Sequence, residues 1–214
     1  PRPDVLFRIC RYFNVDARII LEPLANIGTS TRSLLSHPEI VDFLSPGVSQ
    51  LSEQVFPNGF YQFARRSFLD EAQFIQGLVY VYRLDGAVFI RGYEAKEAMA
   101  QQGLPADSHT REFRGLLLAQ EGGIAGLVSR RNSLTTSFNF LAQIPSFQNN
   151  YWAVYAARTI AESVTGQRVV RMVFEHVSSN LGAVLETARL GGICNKDSLP
   201  AYHARLLRLG QPFQ

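Results

Sequence analysis

Four histidines and two cysteines carry most of the catalytic chemistry open to this chain, and their placement argues against it. His37, His109, His176 and His203 are scattered, and none stands four residues from another ligand, so no helical metal-binding pair arises. Cys10 and Cys194 are the only cysteines, which excludes both a disulfide framework and zinc-ligand spacing. Both read as small buried hydrophobes. A nucleophilic enzyme needs a cysteine or serine beside a base and an orienting group. Cys194 and His203 are close in sequence, yet no Asp or Asn is placed to complete that set by motif. With no Gly-x-Ser-x-Gly elbow and no phosphate loop, the residues point away from catalysis. His176 closes an apolar run in which Val170, Met172 and Phe174 share its face; it is either a hydrogen-bonded histidine at a sheet edge or one aimed into a core cavity.

Binding is the more promising chemistry. Arg91 and Arg158 sit in apolar runs, and a buried arginine is costly unless a carboxylate of the protein or of a ligand meets it. An outward-facing arginine needs no such partner. Tyr80 and Tyr82 share a face with Phe74 and Leu78, Phe89 shares one with Arg91, and Phe138 and Phe140 share one with Leu134 and Thr136. The segment Ser146–Trp152 sets amides beside aromatics. Aromatic walls supply contact area while polar tips fix orientation, so Tyr80, Tyr82, Phe89, Arg91, Phe138, Phe140, Asn149, Trp152, Tyr155 and Arg158 form a candidate ligand-binding set. The same pattern also suits an ordinary sheet core. No cofactor or metal is specified, and the ligand's identity is open.

The elements that must position these residues change character along the chain. Asp4 can cap a first helix whose apolar positions Leu6, Ile9, Cys10 and Phe13 form one stripe, with Asn14 as its stop. Asp16 caps a short second helix that Pro23 ends. Residues 25 to 33 read as a linker, Pro38 to Leu44 as a helix, and Gly59 to Leu69 as a helix with the stripe Phe60, Phe63, Ala64 and Phe68. From Phe74 the apolar period falls to two. Strands are expected over Phe74–Arg83 and Ala87–Tyr93, joined by the tight turn Asp85-Gly86, then over Phe113–Ala119, Ile124–Arg130, Leu134–Gln143, Tyr151–Ile160 and Arg168–Val177, the last two flanking a turn at Thr165-Gly166. A helix over Glu94–Gln102 ends at Gly103. Two closing helices are expected, one after Ser178 and Ser179 and one after Ser198 and Pro200.

With 46% hydrophobic and 18% charged residues, the 214-residue chain reads as globular, and a net charge of +3 with only two lysines gives no stripe that would track phosphates. There is no long apolar run and no signal-like leader, so the expected address is the cytoplasm and no membrane partner is implied. The opening Pro1-Arg2-Pro3, without methionine, suggests a fragment.

The stretch Leu6–Leu21 resembles the last two helices of the Cro/C1-type (XRE) helix-turn-helix family, with Phe13 and Cys10 departing from the family's usual leucine and alanine. The element order behind it resembles PAS and GAF sensor domains. Those resemblances imply an α+β fold: an antiparallel sheet of five to seven strands with flanking helices over 71–214, connecting segments over 25–70, and the remnant of a DNA reader over 1–24. They imply the effector-sensing and dimerisation domain of a bacterial DNA-binding transcription regulator, homodimeric and not itself an enzyme. The alternatives are an interaction module without a small-molecule ligand and an enzyme of an unrecognised class.

Overall fold

The computed structural model describes residues 46–160, 167–177 and 180–213, together with Val5, Arg8 and Leu44. The chain divides into two compact units, 1–45 and 46–214. The helices expected over 1–24 and Pro38–Leu44 and the linker at 25–33 belong to the first unit and, apart from those three positions, lie outside the described residues. So do the Thr165-Gly166 turn and the caps Ser178 and Ser179.

The second unit is built from β1 (Gly59–Arg66), β2 (Phe74–Leu84), β3 (Ala87–Tyr93), β4 (Glu112–Gln120), β5 (Gly123–Arg130), β6 (Thr136–Ile144), β7 (Tyr151–Arg158), β8 (Val169–His176) and the short β9 (Gly192–Cys194). Helices α1 (Lys96–Gln101), α2 (Ser108–Arg111), α3 (Leu181–Arg189) and α4 (Ala201–Leu206) are all short. Each strand from β2 to β7 pairs antiparallel with the next, while β1 pairs with β2 on one side and with β8 on the other. The eight strands therefore close into an up-and-down barrel, and β9 adds to Phe74–Gln76 of β2 from outside. This corrects the expected α+β PAS- or GAF-like sheet. A closed sheet has an inside and an outside, not one face covered by a helical layer.

The correction turns on residues 59–66. Phe60, Phe63 and Ala64 satisfy a helical stripe, but the same run alternates as a strand: Tyr61, Phe63 and Arg65 point into the barrel, while Gln62 and Ala64 point out. The outward pair is buried as well, because α4 and its flanks cover that wall. Ala64, Phe74, Val173, Leu199 and Leu207 form a second apolar cluster there, and Gln62 donates to Gln76 at 3.1 Å. A strand buried on both faces loses the polar alternation that would mark it.

Elsewhere, local chemistry agrees with the fold. Asp85 and Gly86 have φ of 50° and 77°, the doubly positive pair that a two-residue hairpin turn requires. Asn180 caps α3 by accepting from the Gly182 amide at 2.8 Å. Inside the barrel, small residues face large ones: a Cβ on Gly92 would lie 2.5 Å from the Phe113 ring, so the glycine is what lets that ring in.

One end of the barrel is shut. Phe56, wholly buried, stacks on Tyr61 at 4.7 Å between centroids and meets Trp152 edge-on at 4.9 Å. Arg83 holds this plug by donating to Asn58 Oδ1 at 2.6 Å and to the carbonyls of Leu51 and Phe56 at 2.9 and 2.8 Å. His176 closes β8 here, its Nε2 3.2 Å from the Asn58 carbonyl. No helix among the described residues is long and apolar enough to cross a membrane.

Candidate functional site: an arginine-lined open end

Three strands deliver an arginine as their last inward residue at the opposite end. On β1 the inward series is Tyr61, Phe63, Arg65; on β5 it is Ile124, Gly126, Val128, Arg130; on β7 it is Trp152, Val154, Ala156, Arg158. Each strand is apolar where the barrel is plugged and turns cationic where it opens. A cavity of about 120 Å³ lies between, its walls formed by Phe63, Ile75, Val79, Ile90, Phe113, Val128, Met172 and Phe174, with the three arginines, Ser137 and Asn139 toward the mouth.

Among the described residues, arginine outnumbers carboxylate at that mouth: Glu94, which follows β3, is the only acidic one lining it, and it meets Arg65 at 3.5 Å. Arg65 is only 7% exposed. Burial lowers its pKa, Glu94 opposes that, and the nearby Arg158 adds to it. Burial lowers the pKa of Arg158 too, with Glu94 opposing and Arg130 reinforcing. The guanidiniums thus sense one another, and the Glu94 carboxylate acts on both Arg65 and Arg158. Phe68, in the β1–β2 loop, lies under two of them, with Arg65 and Arg158 centred 4.7 and 5.0 Å from its ring. Arg130 Nη1 lies 3.4 Å from Met99 Sδ on α1. The Asn139 amide oxygen is buried without a hydrogen-bond partner among the described residues. Phe68 with its loop and α1 with Ala98, Gln101 and Gln102 form the rim.

Of the residues expected to bind a ligand, Arg158 alone lines this cavity. Trp152 also points inward, but it belongs to the plug. Tyr80, Tyr82, Phe89, Arg91, Phe138, Phe140 and Tyr155 lie on the outer wall. The shared faces expected for them hold, but those faces look outward. Asn149 occupies the β6–β7 turn with φ of 50°, its Oδ1 accepting from the Ser146 amide at 3.3 Å. Arg91 has its carboxylate within the protein, Glu112, at 2.7 Å. Cys194 accepts from Gln76 at 3.2 Å, and His203 is bound to Glu175 at 2.8 Å, so the two have separate partners. No group of three metal-ligating side chains occurs among the described residues.

Arg65, Arg130, Glu94, Asn139 and Phe68 escaped the sequence reading. Arg65 and Arg130 carry one signal, a charged residue ending an otherwise apolar inward series, visible only once each strand's inward face is known; Glu94 and Phe68 lie outside the strands and Asn139 within one, and they carry no such signal. No family model, no curated protein and no solved structure matches this chain, so the site is read from its own residues.

Proposed function

We propose that the barrel is the effector-sensing and dimerisation domain of a cytoplasmic, DNA-binding transcription regulator, and that its effector occupies the arginine-lined end. The observation that carries the sensing part is the cavity itself: eight-stranded barrels either fill their interior with side chains or hold one small ligand, and this one is filled at one end only. The DNA-reading part rests on the helix-turn-helix resemblance of Leu6–Leu21. Effector entry would reposition Phe68 and the rim loop over the bound molecule, and so bias two arrangements of the dimer.

A reading as a partner-binding module draws on a different observation. On the outer wall, Tyr82, Phe89, Leu116, Leu127 and Phe138 follow one another across five strands, with Leu127 45% and Phe138 58% exposed. Apolar surface of this kind marks contact with another protein. It is compatible with dimerisation and does not require the cavity to be empty.

Filling the cavity separates the two. Val128 lines it, and Val128→Phe should fold while abolishing ligand-induced stabilisation. In thermal denaturation of the full chain against a panel of small amphiphiles, a true effector at 100 times its Kd should raise the Tm of the unaltered protein by about 5–10 °C, and the filled variant should not respond. Equal responses from both proteins would place binding elsewhere and end the sensing proposal.

A further inference from the structure

The charge and size of the cavity together define the class of its ligand. Its size is set by comparison with a dry protein cavity of about 150 Å³, which admits one benzene, so about 120 Å³ suits an apolar body of about six heavy atoms. Among the described residues, the deep walls offer such a body Phe, Ile, Val, Ala and Met side chains. At the mouth, Arg65, Arg130 and Arg158 face one carboxylate among the described residues, Glu94, which pairs with Arg65, and among the described residues no carboxylate lies within ion-pairing distance of Arg158. A half-buried guanidinium without an acidic partner is costly to desolvate, and that cost is relieved when an anion supplies two acceptor oxygens to its planar fork.

Resting on the reading of this cavity as a binding site, we infer that the ligand is a compact amphiphilic carboxylate, an aryl or short alkyl acid. Its body enters the well beside Met172 and its head group lies among Arg158, Arg130 and Arg65. The head group takes over the role that Glu94 plays for Arg65, and Phe68 closes over it. The outer-wall cluster supplies the contrast. There Arg91, Arg114 and Arg131 all reach Glu112, so their charge is already met within the protein.

The two methionines of the sequence allow body and head group to be followed separately. Met172 lines the apolar well, and Met99 touches Arg130 at the mouth. Full-length protein carrying ¹³C-methyl methionine is titrated with phenylacetate and, in parallel, with the matched neutral alcohol 2-phenylethanol. Phenylacetate should shift both methyl signals saturably and bind at least about ten-fold more tightly than the alcohol, the span expected of a charge-assisted hydrogen bond. The alcohol should move only Met172. Arg158→Gln, checked for native circular dichroism, should bring the acid to within about two-fold of the alcohol, Arg158→Lys should restore part of the preference, and Glu94→Gln should tighten the acid by removing a competing carboxylate. Equal affinity for acid and alcohol, with Met172 responding, would overturn the carboxylate assignment and leave the cavity reading intact. If neither compound moves Met172, the cavity reading itself fails.

Discussion

Glu112 and Glu94 are both carboxylates set among arginines, yet the two settings have opposite consequences. Glu112 is almost wholly buried on the outer wall and accepts from Arg114 at 2.8 Å, from Arg91 at 2.7 Å and from Arg131. The hydrogen bonds from Arg114 and Arg131, which outweigh burial, hold its carboxyl down at about 2 from an ordinary 4.5. A depressed carboxylate contributes stability that is fully present above the ordinary value and is lost as pH falls toward the folded one. Between about pH 4.5 and 2 the protein should therefore lose stability progressively, and Glu112→Gln should flatten that part of the curve while lowering stability at neutral pH; urea denaturation across that range measures both. An unchanged acid limb in the variant would show that Glu112 is not what the protein loses there. Glu94, by contrast, makes one contact at 3.5 Å, and among the described residues no carboxylate pairs with Arg158. Arg158 could be singled out in the sequence because an arginine ending an apolar run asks for a partner. Arg91 raised the same question, and only the register, which brings Tyr93 opposite Glu112 and Arg91 opposite Arg114, shows that its answer lies on the outer wall.

Seven of the eight barrel strands were legible because their hairpins are local. Asp85-Gly86 punctuates a period-two pattern, and β2 to β8 lie where that pattern puts them to within a few residues. The exception, β1, was hidden by burial on both faces, and with it went barrel closure and the inward position of Arg65. The plug was hidden for another reason: Phe56 lies in a segment with no period at all, and only the meeting of Tyr61 on β1 with Trp152 on β7, far apart in sequence, creates the place it fills. Its contribution should nevertheless be large. Phe56→Ala should cost about 3–5 kcal/mol and lower the Tm by on the order of 10 °C, followed through the fluorescence of Trp152, the single tryptophan. A loss under 1 kcal/mol would mean that the plug segment is not part of the cooperative core.

At the scale of the molecule, barrel closure is the least local event in the fold. The seam pairs Tyr61 with His176 and Ala64 with Val173, whereas the β2–β3 hairpin pairs Val81 with Ile90 across a two-residue turn. Loop-closure entropy must be met before a contact so distant in sequence contributes, so hairpins form early and the seam forms late. Val173 and Val81 are both fully buried, and each trimmed to alanine should lose about 2 kcal/mol. The two losses should appear in different rates. Val173→Ala, at the seam, should accelerate unfolding by about 30-fold and leave refolding nearly unchanged, whereas Val81→Ala should slow refolding. Stopped-flow refolding and unfolding in urea resolves the two limbs. If Val173→Ala slowed refolding as much as Val81→Ala, the seam would already be formed at the transition state, and the barrel would assemble around its closure rather than ending with it.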